Sequence, residues 1–183
     1  MGNGKIYFVR HGESESNLKG TFAGQRENSP LTSKGKKQAG QAATDLVSKG
    51  VKPKKIYVSP LLRTIETAQI IIQNAELTDT ELIIDERIAE YDMGSLTGTP
   101  IRKVTSAELI SADGAEDPLI FMERVHKLLT ELFDKEEHAL IVSHAGVGRI
   151  IEAKKRGVNP SSFYDLEPFP NAKVVELEIE ITK

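Results

Sequence analysis

Three short apolar stretches of the sequence, residues 6–9, 56–58 and 140–142, are each followed by residues that could bind an anion. The first leads directly to Arg10 and His11, the second leads to Arg63, and the third ends next to His144. Two guanidinium groups and two imidazoles brought to one place would repel one another unless an anion lay between them. If the fold brings these residues together, the sequence therefore predicts a site for a phosphate or a carboxylate.

Each of these residues also has an ordinary structural interpretation. A single histidine after a strand is often a hydrogen-bonded loop residue, and a single arginine is often part of a surface ion pair. The coincidence of four such residues favours a site, because folding alone gives no reason to collect uncompensated cations at one edge of a sheet. The other two histidines, His126 in an amphipathic stretch and His138 in a charged run, are interpreted as structural or solvated.

The elements that must position these residues alternate between strand and helix. The apolar stretches, together with a weaker one at residues 82–84, are short and lack polar alternation, which is typical of strands buried on both faces of a sheet. Helical patterns cover residues 32–49, 60–73, 118–133 and 147–156. Their predicted ends are Thr32, Ser59-Pro60 and Asp117-Pro118 at the start, and Gly50 and Gly157 at the close.

The last segment has a different pattern. From Val175 to Ile181 apolar and acidic residues alternate strictly, which predicts a half-exposed strand at the edge of the sheet. We therefore predict an α/β fold, a three-layer α/β/α sandwich with a mostly parallel sheet and this C-terminal edge strand, as one domain over residues 1–183. In such sheets ligands bind beyond the carboxyl ends of the strands, where the polar residues lie.

Composition excludes several classes of protein. The net charge is −3, which provides no global field to attract nucleic acid or an anionic membrane, and no apolar run is long enough to span a bilayer. Without cysteine the chain has no disulfide and no thiol nucleophile, which favours a reducing compartment, and we expect a cytoplasmic protein. A chain of this length can fold alone, but the edge strand could also pair, so both monomer and homodimer stay open.

Three motifs together resemble the signature of the histidine phosphatase superfamily, in its phosphoglycerate mutase-like branch (branch 1). They are Arg10-His11-Gly12-Glu13-Ser14 with Asn17 downstream, Ser59-Pro60-Leu61-Leu62-Arg63-Thr64, and Ser143-His144-Ala145-Gly146. The entry to the first long helix, Pro30-Leu31-Thr32 with Gly35, and the acid loop at residues 90–98 also resemble the family. A four-residue motif recurs by chance, whereas this combination is specific. Residues 99–116 match nothing in the pattern.

The resemblance implies an enzyme that works through a phosphohistidine. His11 would attack phosphorus, Arg10 and Arg63 would hold the phosphoryl oxygens, and His144 would donate to the same group. Because neighbouring imidazoles titrate together, His144 could carry a proton while His11 does not. The resemblance further implies contacts to phosphate or substrate from four residues: Asn17, Gly24, Gln25 and Ala145.

An alcohol is a poor leaving group, so a carboxylic acid should deliver a proton to the bridging oxygen. Glu90, four residues before Gly94, stands where the family has its general acid. Glu86, Asp92 and Glu13 are rivals by composition. For Glu13 we expect instead a supporting role, as the partner of an active-site arginine or histidine.

The length of the segment after the acid loop bears on the reaction. Mutases of the family carry a long insertion there, whereas only residues 99–116 separate Gly98 from Asp117. We therefore expect an open site in which water is the acceptor of the phosphoryl group. Such an enzyme is a phosphatase of the histidine acid phosphatase type, and we expect it to act on a small phosphorylated metabolite. A phosphoglycerate mutase-type phosphotransferase and an inactive module that binds phospho-ligands stay as alternatives. Arginine supplies the positive charge, so no metal or cofactor is expected.

Overall fold

A five-stranded sheet forms the centre of the computed structural model, which describes residues 4–101, 104–135 and 137–177. The strands are β1 (Ile6–Arg10), β2 (Lys55–Val58), β3 (Glu81–Ile84), β4 (Ala139–Ser143) and β5 (Val174–Glu176). They lie in the order β3-β2-β4-β1-β5, with every neighbouring pair parallel except β1 and β5. This confirms the mostly parallel sheet and its C-terminal edge strand. Residues 178–181 of the alternating segment lie outside the described residues.

In the described part of the chain, six α-helices accompany the sheet. They are α1 (Glu15–Lys19), α2 (Ser33–Ser48), α3 (Leu62–Asn74), α4 (Ser106–Ser111), α5 (Pro118–Asp134) and α6 (Ala145–Lys155). The four longer helices match the predicted ones to within a few residues. The two short ones, α1 and α4, were not predicted, because each is only a turn or two and is marked by a capping box rather than by apolar periodicity.

The helix ends test the predicted caps. Thr32 accepts from the N–H of Gly35 at the start of α2, and Asp117 accepts from two N–H groups at the start of α5. Gly50 and Gly157 have φ of 65° and 63° after the last residues of α2 and α6, as predicted. The predicted cap at Ser59 is wrong, because α3 begins only at Leu62 and the hydroxyl of Ser59 contacts the ring of His144.

Both faces of the three central strands β1, β2 and β4 are buried, which explains why these strands lack polar alternation, whereas the edge strand β3 is largely exposed. Successive strand residues point to opposite faces, so Phe8 joins the apolar cluster that includes Phe121 of α5, whereas Val9 joins the cluster that includes Ile71 of α3. Helices α5 and α6 cover one face, and α2 and α3 cover the other. The result is the predicted α/β/α sandwich.

The strand register brings the carboxyl ends of three neighbouring strands to one level. Arg10 of β1 lies opposite Ser143 of β4, and Val58 of β2 lies opposite Val142. The residues that follow these strands therefore begin at the same edge of the sheet. The loops after β1, β2 and β4 meet there.

Candidate active site

His11 lies directly after β1, and its side chain is held in one tautomer. Its Nδ1 is 2.7 Å from the carbonyl oxygen of Gly12. A carbonyl can only accept, so Nδ1 carries the proton and Nε2 carries the lone pair. The pKa of His11 is lowered well below its ordinary value by burial, and the charges of Arg63 and Arg10 add to this effect. The ring is therefore neutral at neutral pH, with a nucleophilic Nε2.

The loop that carries His11 is fixed by a close approach of two backbones. A Cβ on Gly12 would lie 2.3 Å from the carbonyl oxygen of Gly35, at the start of α2, so only glycine fits there. On its other side, the N–H of Gly12 donates to Oγ1 of Thr67 on α3 at 3.1 Å. The loop is thus clamped between α2 and α3, which sets the position of the His11 ring.

His144 follows β4 and faces His11, with the ring centroids 5.2 Å apart. Its Nε2 is 2.7 Å from Oγ of Ser59, while its Nδ1 is buried without a partner among the described residues. Burial lowers the pKa of His144 well below its ordinary value, and the charges of Arg63 and His11 act in the same direction. This differs from the expectation that His144 could be protonated beside a neutral His11, because both rings are equally buried near the same arginines.

Arg63 is buried and Arg10 is half-buried next to the two histidines, and neither forms an ion pair with a carboxylate among the described residues, although the charge of Glu90 acts on both. Arg10 donates from Nη1 to the carbonyl of Phe169 at 3.1 Å, and its buried Nε has no partner among the described residues. Arg63 is 2% exposed and donates to the carbonyls of Glu27 and Gly24, at 3.2 and 2.9 Å. Burial lowers the pKa of Arg63 to about 10, so it stays charged at neutral pH. Such a pair of fixed cations suits an anion.

The carboxylate of Glu90 lies at the N terminus of α6, the helix that follows His144. The N–H of Gly146 donates to both of its oxygens, at 3.1 and 3.2 Å, and the N–H of Tyr91 donates to one of them at 2.9 Å. A Cβ on Gly146 would lie 2.2 Å from Oε1 of Glu90, so glycine makes this contact possible. Glu90 is 6% exposed and stands within the cluster of buried charges.

Two of the rival carboxylates, Glu13 and Asp92, form ion pairs elsewhere, and the third, Glu86, is exposed. Glu13 pairs with Lys34 at 2.8 Å and accepts from the hydroxyl of Thr32. Its expected pairing with an active-site arginine or histidine is therefore wrong, because the side chain turns toward α2. Asp92 pairs with Arg26 at 2.9 Å, and Glu86 is exposed in a short 3-10 helix. Of the four candidates, Glu90 is the one that contacts the segment next to His144.

Four further residues were expected to contact phosphate or substrate, and their contacts in the structure are within the protein. Asn17 uses its Oδ1 to accept from the N–H of Ser14 in the capping box of α1, at 3.2 Å, which orients its amide group. The carbonyl of Gly24 accepts from Arg63. Gln25 donates from Nε2 to the backbone carbonyl of Glu90 at 2.8 Å, so it supports the acid loop. Ala145 is the first residue of α6.

Two supporting contacts were missed in the sequence, one from Arg124 to the acid loop and one from Ser59 to His144. Arg124 of α5 forms an ion pair with Glu116, with Nε 2.6 Å from Oε1. The same guanidinium donates to the carbonyls of Arg87, Ala89 and Glu90, at 2.8 to 2.9 Å. Nothing in the spacing of Arg124 on an amphipathic helix points to this loop. Ser59 was present in a recognised motif but was interpreted as a helix cap.

A cavity of about 450 Å³ adjoins the acid loop. Its lining consists of Gln25, Pro60, Glu86, Arg87, Ala89 and Arg124. Within the described ranges, no three histidine or carboxylate side chains are grouped to hold a metal ion. Nor does any helix in that part of the chain have the length and apolar character to cross a membrane.

Comparison with known proteins identifies the family to which this chain is similar. The family model of the histidine phosphatase superfamily (branch 1) matches residues 6–183. A 2,3-bisphosphoglycerate-dependent phosphoglycerate mutase of Thermoplasma acidophilum is 38% identical over 98 residues, which are 54% of this chain and 46% of that protein. This match therefore spans about half the length of that relative.

Two further proteins match over most of their length. A protein of Hydrogenobacter thermophilus with the provisional name phosphoserine phosphatase 2 is 29% identical over 96% of this chain and 90% of its own. The crystal structure of the alpha-ribazole phosphatase from Shigella flexneri superposes with a TM-score of 0.79 at 22% identity, covering 97% of this chain and 91% of that one, and so shares the fold. On the family match over residues 6–183, the chain belongs to the histidine phosphatase superfamily, branch 1.

Proposed function

We propose that this protein is a phosphatase that hydrolyses phosphate monoesters through a phosphohistidine at Nε2 of His11, in the manner of the histidine acid phosphatases. The observation that carries the proposal is the state of His11. Its Nδ1–H is committed to the carbonyl of Gly12, its ring is neutral, and it lies beside the half-buried Arg10 and the buried Arg63, which form no ion pair among the described residues. This arrangement combines a nucleophile with preformed charge for the phosphoryl oxygens.

In the first step the lone pair of His11 Nε2 forms a bond to phosphorus while the bond from phosphorus to the ester oxygen breaks. Arg10 and Arg63 hold the phosphoryl oxygens through their remaining N–H groups. Nδ1 of His144 is the buried ring nitrogen left without a partner, so it donates to the same group when the hydroxyl of Ser59 donates to Nε2. Glu90 delivers a proton to the leaving oxygen, which departs as an alcohol.

In the second step water attacks phosphorus from the side of the departed alcohol. Its oxygen bonds to phosphorus, the bond to Nε2 breaks, and the carboxylate of Glu90 takes the proton that water gives up. Inorganic phosphate and a neutral His11 with the original tautomer are left. Each residue thus returns to the state in which it started.

The resemblance to a phosphatase-named protein over nearly the whole chain favours hydrolysis over transfer. Phosphoglycerate mutase is the second candidate, because the mutase of Thermoplasma acidophilum is more similar over the part that it matches. An inactive phospho-ligand module is a weaker one, since all five expected catalytic side chains are present in one cluster. We further propose that the enzyme needs no metal, acts on a small phosphorylated metabolite in the cytoplasm, and works as one domain, either alone or as a homodimer.

The test is phosphate release from a panel of phosphomonoesters without added metal, on wild type, on His11→Ala and on His138→Ala. His138 lies before β4, at the opposite end of the sheet, and serves as a matched histidine control. We expect turnover by wild type and by the control, and none by His11→Ala. If the wild-type protein isomerises phosphoglycerate but releases no phosphate, it is a mutase. If it neither releases phosphate nor isomerises phosphoglycerate, it is a binding module.

The role of Glu90 has its own test. Glu90→Gln should slow hydrolysis of alkyl phosphates by about a hundredfold or more, which is the usual contribution of a general acid. Hydrolysis of p-nitrophenyl phosphate should slow much less, because its phenolate leaves without a proton. Equal losses on the two substrates would remove Glu90 from this role.

A further inference from the structure

A third arginine, Arg149, borders the same site. It lies on α6 four residues after Ala145, so it is on the face of the helix that begins beside the two histidines. Its Nε donates to the carbonyl of Leu166 at 2.7 Å, and its guanidinium carbon lies 4.2 Å from the centre of the Tyr164 ring. These two contacts fix the guanidinium and leave Nη1 and Nη2 as donors.

Two observations place Arg149 in the neighbourhood of Arg10. Both side chains donate to carbonyls of one short segment, Arg149 to that of Leu166 and Arg10 to that of Phe169. Burial lowers the pKa of Arg10, and the charge of Arg149 acts in the same direction. The Tyr164 ring beneath Arg149 is also 6.0 Å from the ring of Phe22, just before the loop whose carbonyl holds Arg63.

The arginines of the protein divide into two groups by their partners. Arg26, Arg87, Arg124 and Arg156 each lie within 4 Å of a carboxylate, although Arg124 also supports the acid loop. Within residues 4–101, 104–135 and 137–177, the ones without such a partner are Arg10, Arg63 and Arg149. Among the described residues, the guanidinium groups without a directly paired carboxylate are thus these three.

Resting on the proposed function, we propose that Arg149 binds a second anionic group of the substrate, a carboxylate or a second phosphoryl, so that the enzyme prefers acidic phosphomonoesters. The charges agree with this. A phosphoryl dianion held by Arg10 and Arg63 would leave Arg149 without a directly paired anion, because Arg149 has no carboxylate within 4 Å among the described residues. A second negative group on the substrate would supply that partner.

The first measurement uses wild type and two matched pairs of substrates. O-phosphoserine and O-phosphoethanolamine differ by a carboxylate, and propanediol bisphosphate and propanediol monophosphate differ by a second phosphoryl. We expect kcat/KM to be about tenfold to a hundredfold higher for the acidic member of at least one pair, the usual effect of a charge-assisted hydrogen bond. The pair that shows the preference identifies the group. No preference in either pair would overturn the proposal while leaving the phosphatase function intact.

The second measurement assigns the preference to Arg149. Arg149→Met keeps an apolar stem over Tyr164 and removes the charge, and we expect it to abolish the ratio within the pair, mainly through KM. Arg149→Lys should restore part of the ratio and serves if the first variant fails to fold, as judged by thermal unfolding. Arg156→Met, on the same helix but paired with Glu152, is the control and should keep the ratio. An unchanged ratio in both Arg149 variants would show that Arg149 only anchors the segment beneath it. If the wild-type enzyme hydrolyses none of the esters, that result would instead refute the phosphatase function.

Discussion

Gly146→Ala should disable Glu90 without touching its side-chain chemistry. The added Cβ would lie 2.2 Å from Oε1 and 3.2 Å from Cδ of Glu90, whereas its next neighbour, Cζ of Phe121, is 3.4 Å away. Carbon and oxygen in contact stand more than 3 Å apart, so the carboxylate must retreat by about 1 Å. It then loses both hydrogen bonds from the N–H of Gly146.

The size of the effect follows from this displacement. A misplacement of about 1 Å in a reacting group costs about a hundredfold in rate, which is within the range that a general acid contributes. We expect this loss for alkyl phosphates and a much smaller one for p-nitrophenyl phosphate. Gly40→Ala within α2 is a matched control, because the nearest atom to its added Cβ is a flexible side-chain amide at 3.1 Å.

The assay that decides the matter is a double-mutant cycle. In Glu90→Ala the carboxylate is gone, so the Cβ at position 146 has room and Gly146→Ala should cost little more. Additive losses in the two backgrounds, or equal losses on alkyl and aryl esters, would refute the reasoning. In that case the glycine would serve the packing of α6 and not the position of the acid.

Three other predictions concern individual side chains: Ser59, Arg124 and His126. Ser59→Ala removes the hydroxyl that orients His144, so it should lower kcat about tenfold and move the acid limb of the pH–rate profile. Ser59→Thr should restore both kcat and the profile. An unmoved profile would show that the hydroxyl only fills space. Arg124→Gln leaves Glu116 unpaired and the acid loop unsupported, so thermal unfolding should reveal a loss of about 3 kcal/mol, against almost none for the exposed Arg156→Gln. Burial lowers the pKa of His126, so the unfolded chain binds the proton more tightly and stability should fall as pH drops below about 6.5, by at most about 1.4 kcal/mol per pH unit. Denaturant titrations should give a shallower acid slope for His126→Leu, and an identical slope would contradict the assignment.

The sequence by itself determined the fold class and the edge of the sheet where polar groups collect. Apolar runs such as residues 140–142 predict buried parallel strands, because a strand covered on both faces has no polar alternation. Parallel strands end at one edge, so His11 and His144 were expected at the same edge, whereas the pairing of β1 with β4 that makes them neighbours came from the structure. The short helices α1 and α4 were not predicted from the sequence, because a capping box without apolar periodicity is a weak signal.

Only the tertiary structure decided which side chains support the reacting groups. Ser59 touches His144, Gly146 holds the carboxylate of Glu90, and Arg124 carries the acid loop, although each pair is far apart in the chain. Such contacts depend on the relative placement of helices and loops to within an ångström, which local patterns do not encode. For the same reason the partner of Glu13 proved to be Lys34: the charge of a carboxylate can be read from the sequence, but the direction in which it turns is set by packing.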